Sequence, residues 1–257
     1  EKDTLLLNLK SQMRVKGGNN YIKFVDDLLQ VTRNETTKYH EEKYELFVFD
    51  SFIDLHSQLN KREKQFQLCR IVSGYSWEWK SDPKKQNPTL DAIDIEIEGL
   101  QFQWNQTDKD WINNPKDKEN PLKEIGCIHT VQGYDLNYTG VIFGREINYN
   151  HNSRKIEIDP SKYFDKYGRI GTTIEELKNY IINIYKTLMY RGIKGTFIYA
   201  YNKELREYLK QHIETFKKDI PFRILRFDEV IPYVNAIPLV DITAAAGNFT
   251  DFQYHSE

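Results

Sequence analysis

The chain has 257 residues and a mass of 30.6 kDa, enough to bury a substantial core in one large domain. Its 36 basic and 38 acidic residues leave a net charge of −2, which excludes a protein-wide positive field as the basis of nucleic-acid binding. No apolar run approaches the length that crosses a membrane, so no membrane partner is expected.

The amino-terminal part of the sequence predicts an α/β domain. The chain starts with neither a signal peptide nor an initiator Met, so we expect it to be a piece of a longer protein. After a Lys-Gly-Gly turn, apolar residues from Ile22 to Leu29 recur at helical spacing. The runs YELFVFD, SFIDLHSQLNKREKQFQ and QLCRIVSG then predict a strand, a helix and a strand, an order typical of a parallel sheet.

Residues 74–124 interrupt this pattern. The segments GYSWEWKSDPKKQNP and WNQTDKDWINNPKDKENP carry all four Trp residues among many charges. We therefore predict an aromatic-rich insertion carried on the sheet. The rings of Trp77, Trp79 and Trp104 suit either of two roles, stacking on nucleic-acid bases or closing a core, and packing is favoured for Trp104.

The α/β pattern resumes after the insertion. IGCIHTV and YTGVIFG predict core strands, and REINYNHNSRKIEID predicts a hairpin that turns at residues 150–153. The polar stretch TVQGYD follows the first of these strands, and ligand sites of open α/β sheets lie at the carboxyl ends of strands. Cys69 and Cys127 both lie in apolar runs, which is typical of reduced core thiols and of a cytoplasmic protein.

Two further helices have clear start signals. Thr172 and Thr173 each have a Glu three residues later, the spacing of a capping box, and Ile174 opens an apolar stripe that continues to Leu188. This helix is predicted to end at residues 191–192, before the strand GTFIYAY. Asn202 then caps a helix over KELREYLKQHIETF.

Several catalytic motifs are absent from the sequence. It contains no GxxxxGK[ST], GxGxxG, HExxH, paired CxxC or GxSxG, so a complete nucleotide-hydrolysing P-loop domain is excluded. Six His residues are scattered, and none stands at metal-ligand spacing, so no metal site is predicted.

Three segments in order carry a family resemblance. SQMRVKGGNNYIKFVDDLL, IGCIHTVQGYDLNYTGVIFG and LMYRGIKGTFIYAY resemble motifs four, five and six of superfamily 1 helicases, in the form found in the bacterial Schlafen-like DNA/RNA helicase-domain family. The resemblance runs from about Leu5 to about Ile213. In that family the second RecA-like motor domain carries these motifs, while the phosphate-binding loop and the Mg-binding acid lie on the first.

The resemblance implies a fold and a domain division. Residues 1–230 would form a RecA-like, P-loop NTPase-type α/β domain with a mostly parallel sheet but without the P-loop itself, with the insertion at 74–124. Residues 231–257 would be a carboxyl-terminal extension, because NAIPLVDITAAAGNF resembles the opening of a LexA-like domain. The alternative for this extension is an extended tail packed on the motor domain.

The resemblance also implies nucleotide-binding residues. Arg14 matches the motif-four arginine that reaches the γ-phosphate, and Arg191 matches the catalytic arginine finger of motif six. Gln132, Gly133 and Asp135 match the motif-five loop, whose acid contacts the nucleotide sugar. Two of these residues have simpler alternatives, since an Arg at a helix end commonly pairs with the last carbonyls and Asp135 suits a turn.

His129 and Thr130 match positions near the nucleic-acid backbone. A core histidine is the alternative for His129, and a solvated loop cation is the alternative for Arg14. The sequence departs from the family at two positions, because Asp135 stands where Glu is usual and Tyr190 stands where Thr is usual.

The leading function is thus the carboxyl-terminal motor half of an ATP-dependent DNA or RNA helicase or translocase. ATP and Mg²⁺ would be held mainly by the first RecA-like domain of the same longer chain, so we expect this chain alone to be inactive. Single-stranded DNA or RNA would be the nucleic-acid partner. The alternative is a catalytically silent module that binds nucleic acid or protein on a helicase-like scaffold.

Overall fold

The computed structural model describes residues 14–33, 37–82, 84, 89, 91–107, 109–218 and 231. The chain divides into one unit at Glu1–Lys217 and a second at Lys218–Glu257. Apart from Lys218 and Ile231, the second unit lies outside the described residues, and so does the predicted LexA-like opening. Within motif four, Arg14 and the residues after it up to Arg33 are described, whereas the residues before Arg14 are not.

The described residues form six α-helices, two short 3-10 helices (Pro121–Lys123 and Pro160–Lys162) and ten strands. The helices are α1 (Gly18–Gln30), α2 (Phe52–Phe66), α3 (Ile128–Val131), α4 (Lys166–Arg169), α5 (Ile174–Met189) and α6 (Lys203–His212). The strands are β1 (Glu45–Val48), β2 (Cys69–Ser73), β3 (Ile95–Ile97), β4 (Leu100–Trp104), β5 (Glu124–Gly126), β6 (Leu136–Phe143), β7 (Ile147–Asn150), β8 (Lys155–Ile158), β9 (Gly192–Ala200) and β10 (Glu214–Thr215).

Eight of these strands form one sheet in the order β10-β1-β9-β6-β2-β5-β4-β3. Every neighbouring pair is parallel except β3 and β4, which are antiparallel. The central strands β6 and β9 are buried along most of their length, as expected for a parallel sheet covered on both faces. The predicted α/β class with a mostly parallel sheet is confirmed, and the architecture is consistent with a RecA-like fold.

Helix α2 covers one face of the sheet. Ser51 caps its amino end by accepting a hydrogen bond from the backbone of Asp54 at 3.4 Å. Phe52, Leu55 and Leu59 recur at helical spacing and are fully buried against the sheet. The exposed surface of this helix is mostly polar, with Ile53 as an exposed apolar residue.

Helices α1, α5 and α6 cover the opposite face, together with the antiparallel β7–β8 hairpin. Asn202 caps α6 by accepting from the backbone of Leu205 at 2.7 Å, as predicted. Thr173 and Glu176 form the predicted capping box of α5. One predicted core position is wrong, because Ile174 at the start of α5 is exposed.

The insertion joins the main sheet. Its strands β3 and β4 extend the sheet beyond β5. Trp77, Trp104 and Trp111 are buried, and the buried Asp94 accepts a hydrogen bond from the Trp104 backbone at 2.8 Å. These Trp rings therefore close a core, and base stacking by Trp77 or Trp104 is excluded by their burial.

The run IGCIHTV is not a single strand, which corrects the prediction. Strand β5 ends at Gly126, and Ile128 already begins the short helix α3. The Thr130 hydroxyl accepts a hydrogen bond from the Cys127 backbone at 3.0 Å, which stabilises the first helical turn. This side-chain cap outweighs the strand preference of the β-branched residues.

Both cysteines are free and buried, as predicted for reduced core thiols. Among the described residues, no helix combines the length and the apolar content needed to cross a membrane.

Candidate functional site

Three segments that are distant in sequence meet at the amino ends of β6 and β9. The backbone NH of Lys16 donates to the carbonyl of Ile193 at 3.0 Å, and that of Leu136 donates to the carbonyl of Arg191 at 3.1 Å. Leu136 and Gly192 are also neighbours in the β6–β9 ladder. Main-chain pairing therefore holds together the three segments that resemble motifs four, five and six.

Three charged side chains lie at this junction. Nε of Arg14 is 2.5 Å from Oδ1 of Asp135, and the two side chains are 41% and 48% exposed. Burial lowers the pKa of the Arg191 guanidinium below its usual value, the nearby Arg14 cation lowers it further, and Asp135 acts in the opposite direction. Arg14 thus pairs directly with Asp135, and Arg191 lies close enough to interact electrostatically with both, so two guanidinium groups share one carboxylate.

Arg191 contributes both to its helix end and to the cluster. Tyr190 is the C-cap of α5, and Nε of Arg191 donates to the carbonyl of Thr187 at 3.3 Å. The alternative role of Arg191, bonding the last carbonyls of its helix, is therefore observed for one of its nitrogens. Among the described residues, no hydrogen bond or ion pair uses the two terminal nitrogens of Arg191, so the group keeps donors for a ligand.

A cavity of about 240 Å³ lies between α3 and α5. Side chains of three predicted site residues line it together with side chains from the exposed turns of α5. The full lining comprises Ile128, His129, Gln132, Tyr180, Asn183, Ile184, Thr187 and Arg191. The cavity thus connects the charged cluster at the sheet edge with the residues predicted to lie near nucleic acid.

The loop after α3 depends on one glycine. Gly133 has φ +87°, a left-handed conformation that strains any residue with a Cβ. The chain turns there because the backbone of Tyr134 donates to the carbonyl of Val131 at 3.2 Å. This turn leaves Gln132 and Asp135 exposed on either side of Gly133.

The two residues predicted to lie near nucleic acid differ in availability. His129 is exposed, which excludes the core-histidine alternative, and its ring lies 6.3 Å from that of Tyr75. The Thr130 hydroxyl is engaged within the protein, because it donates to the Cys127 carbonyl at 2.9 Å and accepts from the Cys127 backbone. His129 is therefore the better placed of the two for a ligand.

Tyr190, where the family usually has Thr, contacts α1. Its hydroxyl lies 3.3 Å from Oδ1 of Asp26 and 3.4 Å from the carbonyl of Ile22. Burial raises the pKa of this hydroxyl, and the neighbouring Asp26 charge raises it further. The departure from the family pattern thus lies in the packing of α1 on α5, outside the cavity lining.

Sequence reasoning missed five of the eight cavity residues, of which three carry a polar group. Tyr180, Asn183 and Thr187 lie on one side of α5, and spacings of three and four continue from them to Arg191, just beyond the helix end. Tyr180 and Asn183 are exposed on the side of α5 that faces away from its buried apolar stripe. Extending the helical face backwards from Arg191 would have identified all three.

The position of the charged cluster corrects another expectation. The polar stretch TVQGYD was expected to form a site at the carboxyl end of a strand, but Asp135 and Arg191 lie at the amino ends of β6 and β9. Strands β5 and β6 both run parallel to β2, so the chain must return to the opposite edge between them. Helix α3 and its loop make this return, and they carry Asp135 away from the carboxyl edge.

The cluster has the charge of an anion site, with no set of metal ligands. Among the described residues, no group of three or more His, Cys, Asp or Glu side chains is arranged to hold a metal ion. Two guanidinium groups and a single carboxylate suit phosphate oxygens better than a divalent cation.

The sequence matches a known family over most of its length. Residues 2–202 match the family described as Schlafen group 3, DNA/RNA helicase domain. The uncharacterized protein YPL245W of Saccharomyces cerevisiae is 26% identical over 221 residues, which cover 78% of this chain and 47% of that protein. The chain therefore spans about half the length of this curated relative. No solved structure matches the chain.

Proposed function

Because this chain belongs to the Schlafen group 3 DNA/RNA helicase-domain family, we propose that it is the second motor half of an ATP-dependent helicase or translocase. The observation that carries the proposal is the convergence of Arg14, Asp135 and Arg191 at one edge of the sheet. These residues are 177 positions apart at the extremes, from 14 to 191, and packing of an ordinary core does not require charged groups to meet there.

The proposed nucleotide contacts use the two cations. Negative charge on a transferring phosphoryl group is spread over its equatorial oxygens, and a planar guanidinium can bind two of them at once. Arg14 and Arg191 would hold the γ-phosphate from this side of a cleft. Gln132, Gly133 and Asp135 would approach the sugar and the remaining phosphates.

Bound ATP and Mg²⁺ would supply the phosphoryl group and the charge neutralisation that hydrolysis needs. The described residues suit binding of the phosphate groups of ATP, since they provide two guanidinium groups. The ligands of Mg²⁺ and the phosphate-binding loop would come from a first RecA-like domain, which we propose as the partner in the same longer chain.

The proposed nucleic-acid contact involves His129. This side chain is exposed on α3 and lines the same cavity as Arg191. A helix that contacts both sites offers a direct route by which nucleotide state can affect strand binding. Single-stranded DNA or RNA is the proposed ligand, with Thr130 close to its path.

One observation favours a second candidate, a silent nucleic-acid- or protein-binding module. Asp135 is already paired with Arg14 at 2.5 Å, and its side chain is one methylene shorter than the usual Glu. In the silent module this ion pair would persist, and the cluster would stabilise the fold without contacting nucleotide.

Measuring ATP turnover distinguishes the two candidates. The chain alone should show no turnover, whereas the protein that also carries a P-loop domain should hydrolyse ATP faster when single-stranded nucleic acid is added. Turnover by the chain alone would contradict the two-domain proposal. A P-loop-containing protein that binds single strands without hydrolysis would support the silent module.

A further inference from the structure

A group of large apolar side chains is exposed on and near α4. Tyr167 is 89% exposed, Ile170 is 74% exposed and Ile174 is 69% exposed. Phe164 and Tyr180 are also exposed. A cluster of this kind on a folded domain is typical of a binding surface.

The backbone beneath this cluster is held by specific contacts. The NH of Phe164 donates to the carbonyl of Tyr75 at 2.7 Å, and the Tyr163 ring is buried. The Asp165 side chain caps α4 by accepting from the NH of Tyr167 at 3.0 Å. The exposed rings are therefore presented from an anchored segment.

The cluster is continuous with the candidate site. The ring of Tyr75 lies 6.1 Å from that of Tyr163 and 6.3 Å from that of His129. Gly168 packs so closely on Tyr180 that an added Cβ would lie 3.1 Å from the Tyr180 ring. Tyr180 in turn lines the cavity that contains Arg191.

Cations alternate with the exposed rings. Lys162, Lys166 and Arg169 are exposed in the same segment, whereas its acid Asp165 is half-buried and caps α4. A chain with a net charge of −2 needs such a local positive segment to attract a phosphate backbone. Aromatic rings between cations are the combination that single-strand binders use, because bases stack on the rings while phosphates meet the cations.

We propose that Lys162, Phe164, Lys166, Tyr167, Arg169 and Tyr180, here called the Tyr167 surface, form a stacking platform for single-stranded nucleic acid. This inference rests on the proposed function, and it extends the strand path from His129 outward over α4. Tyr167 would stack on a base, and Lys166 would contact the adjacent backbone.

Fluorescence anisotropy with a labelled oligo-dT or oligo-U of about 16 nucleotides tests this assignment. Tyr167→Ala should weaken binding at least about fivefold, the loss expected for one stacked base. Tyr167→Phe should stay within about twofold of the parent, because the flat ring is retained. Ile53→Ala is the matched control, since Ile53 is 47% exposed on α2 at the opposite face of the sheet.

The salt dependence of the same binding provides a second test. Lys166→Ala should reduce the slope of log affinity against log salt by about 0.7, the value for one phosphate contact on a single strand. Lys61→Ala, at an exposed lysine on α2, should leave the slope unchanged.

The outcomes separate the surface from the function on which it rests. If the parent binds single strands and Tyr167→Ala binds as tightly, the Tyr167 surface is overturned and the proposed function stands. If the parent binds no single strand, both fail. If Tyr167→Ala keeps strand binding but loses self-association in sedimentation, the patch is a protein contact and the proposal is overturned.

Discussion

Arg191 combines two roles that sequence alone presents as alternatives. Its Nε bonds the Thr187 carbonyl near the end of α5, while its charge interacts with Arg14 and Asp135. The sequence predicted that the helix ends at residues 191–192 with a helix-stop glycine, but α5 ends at Met189, Tyr190 is its C-cap and Gly192 begins β9. The neighbouring charges were not predictable from local pattern, because Arg14 lies on a different segment and reaches Asp135 only through folding.

Replacing Arg191 tests its role in turnover. In the protein that carries both motor halves, Arg191→Ala should lower kcat by roughly 10³-fold, because the guanidinium acts on charge that develops during phosphoryl transfer. Arg191→Lys should recover little of the rate, since an ammonium group lacks the planar fork. Steady-state ATPase kinetics measure both, and an Ala variant with the parental kcat would reduce Arg191 to a helix-end cation.

Glu146 is a buried acid that does not line the cavity containing Arg191. Burial raises the pKa of its carboxyl above the usual Glu value, although the hydrogen bond donated by Tyr185 at 2.6 Å acts in the opposite direction. A folded-state pKa above the unfolded value contributes stability that is complete below the unfolded pKa and is lost as pH rises through the folded pKa.

We therefore expect Glu146→Gln to make the unfolding free energy less dependent on pH in the range where the Glu146 carboxyl titrates. The parent should lose unfolding free energy as pH rises from the usual Glu range through the raised pKa, whereas the Gln variant should lose less. Urea unfolding across this pH range measures the difference. Glu42→Gln, at an exposed acid, is the control, and identical profiles for the parent and the Glu146 variant would contradict the prediction.

Elements with strong local signals were predictable, and those shaped by neighbours were not. The capping box at Thr173 and the cap at Asn202 placed the starts of two helices correctly, because a cap is a contact within one turn. The predicted end of the second helix was wrong, since α6 ends at His212 and Glu214–Thr215 forms β10. The strand prediction for IHTV was wrong, because the Thr130 cap stabilises the helix α3 despite the strand preference of these residues. Ile174 fits the apolar spacing of α5 but lies at its exposed first turn.

The capping box of α5 gives an element-scale prediction. Thr173→Ala should lower the unfolding free energy by about 1 kcal/mol, because it removes the acceptor for the Glu176 NH. Thr172→Ala is the matched control and should cost less, since among the described residues the Thr172 hydroxyl donates to the Gly168 and Arg169 carbonyls and caps no NH of α5. Equal losses in chemical denaturation would show that the Thr173 cap contributes no more than the neighbouring hydroxyl.

At the scale of the whole molecule, strand order decides where the site lies. The sequence predicted a parallel sheet, yet the order that places β6 between β9 and β2 depends on contacts between distant segments. This order sets Asp135 beside Arg191 at the amino edge of the sheet. The loop that contains Asp135 had been expected at the carboxyl edge instead. The family resemblance thus predicted the candidate residues and their convergence at one edge of the sheet, but the expected carboxyl edge was wrong.

The central claim is that Arg14 and Arg191 act together on one phosphate group, and a double-mutant cycle on ATP turnover tests it most directly. In the protein with both motor halves, Arg14→Ala and Arg191→Ala should each reduce single-strand-stimulated kcat strongly. The double variant should be little slower than the slower single variant, because residues that act as a unit are not additive. Two independent losses that multiply in the double variant, or a parental rate in either single variant, would contradict the account.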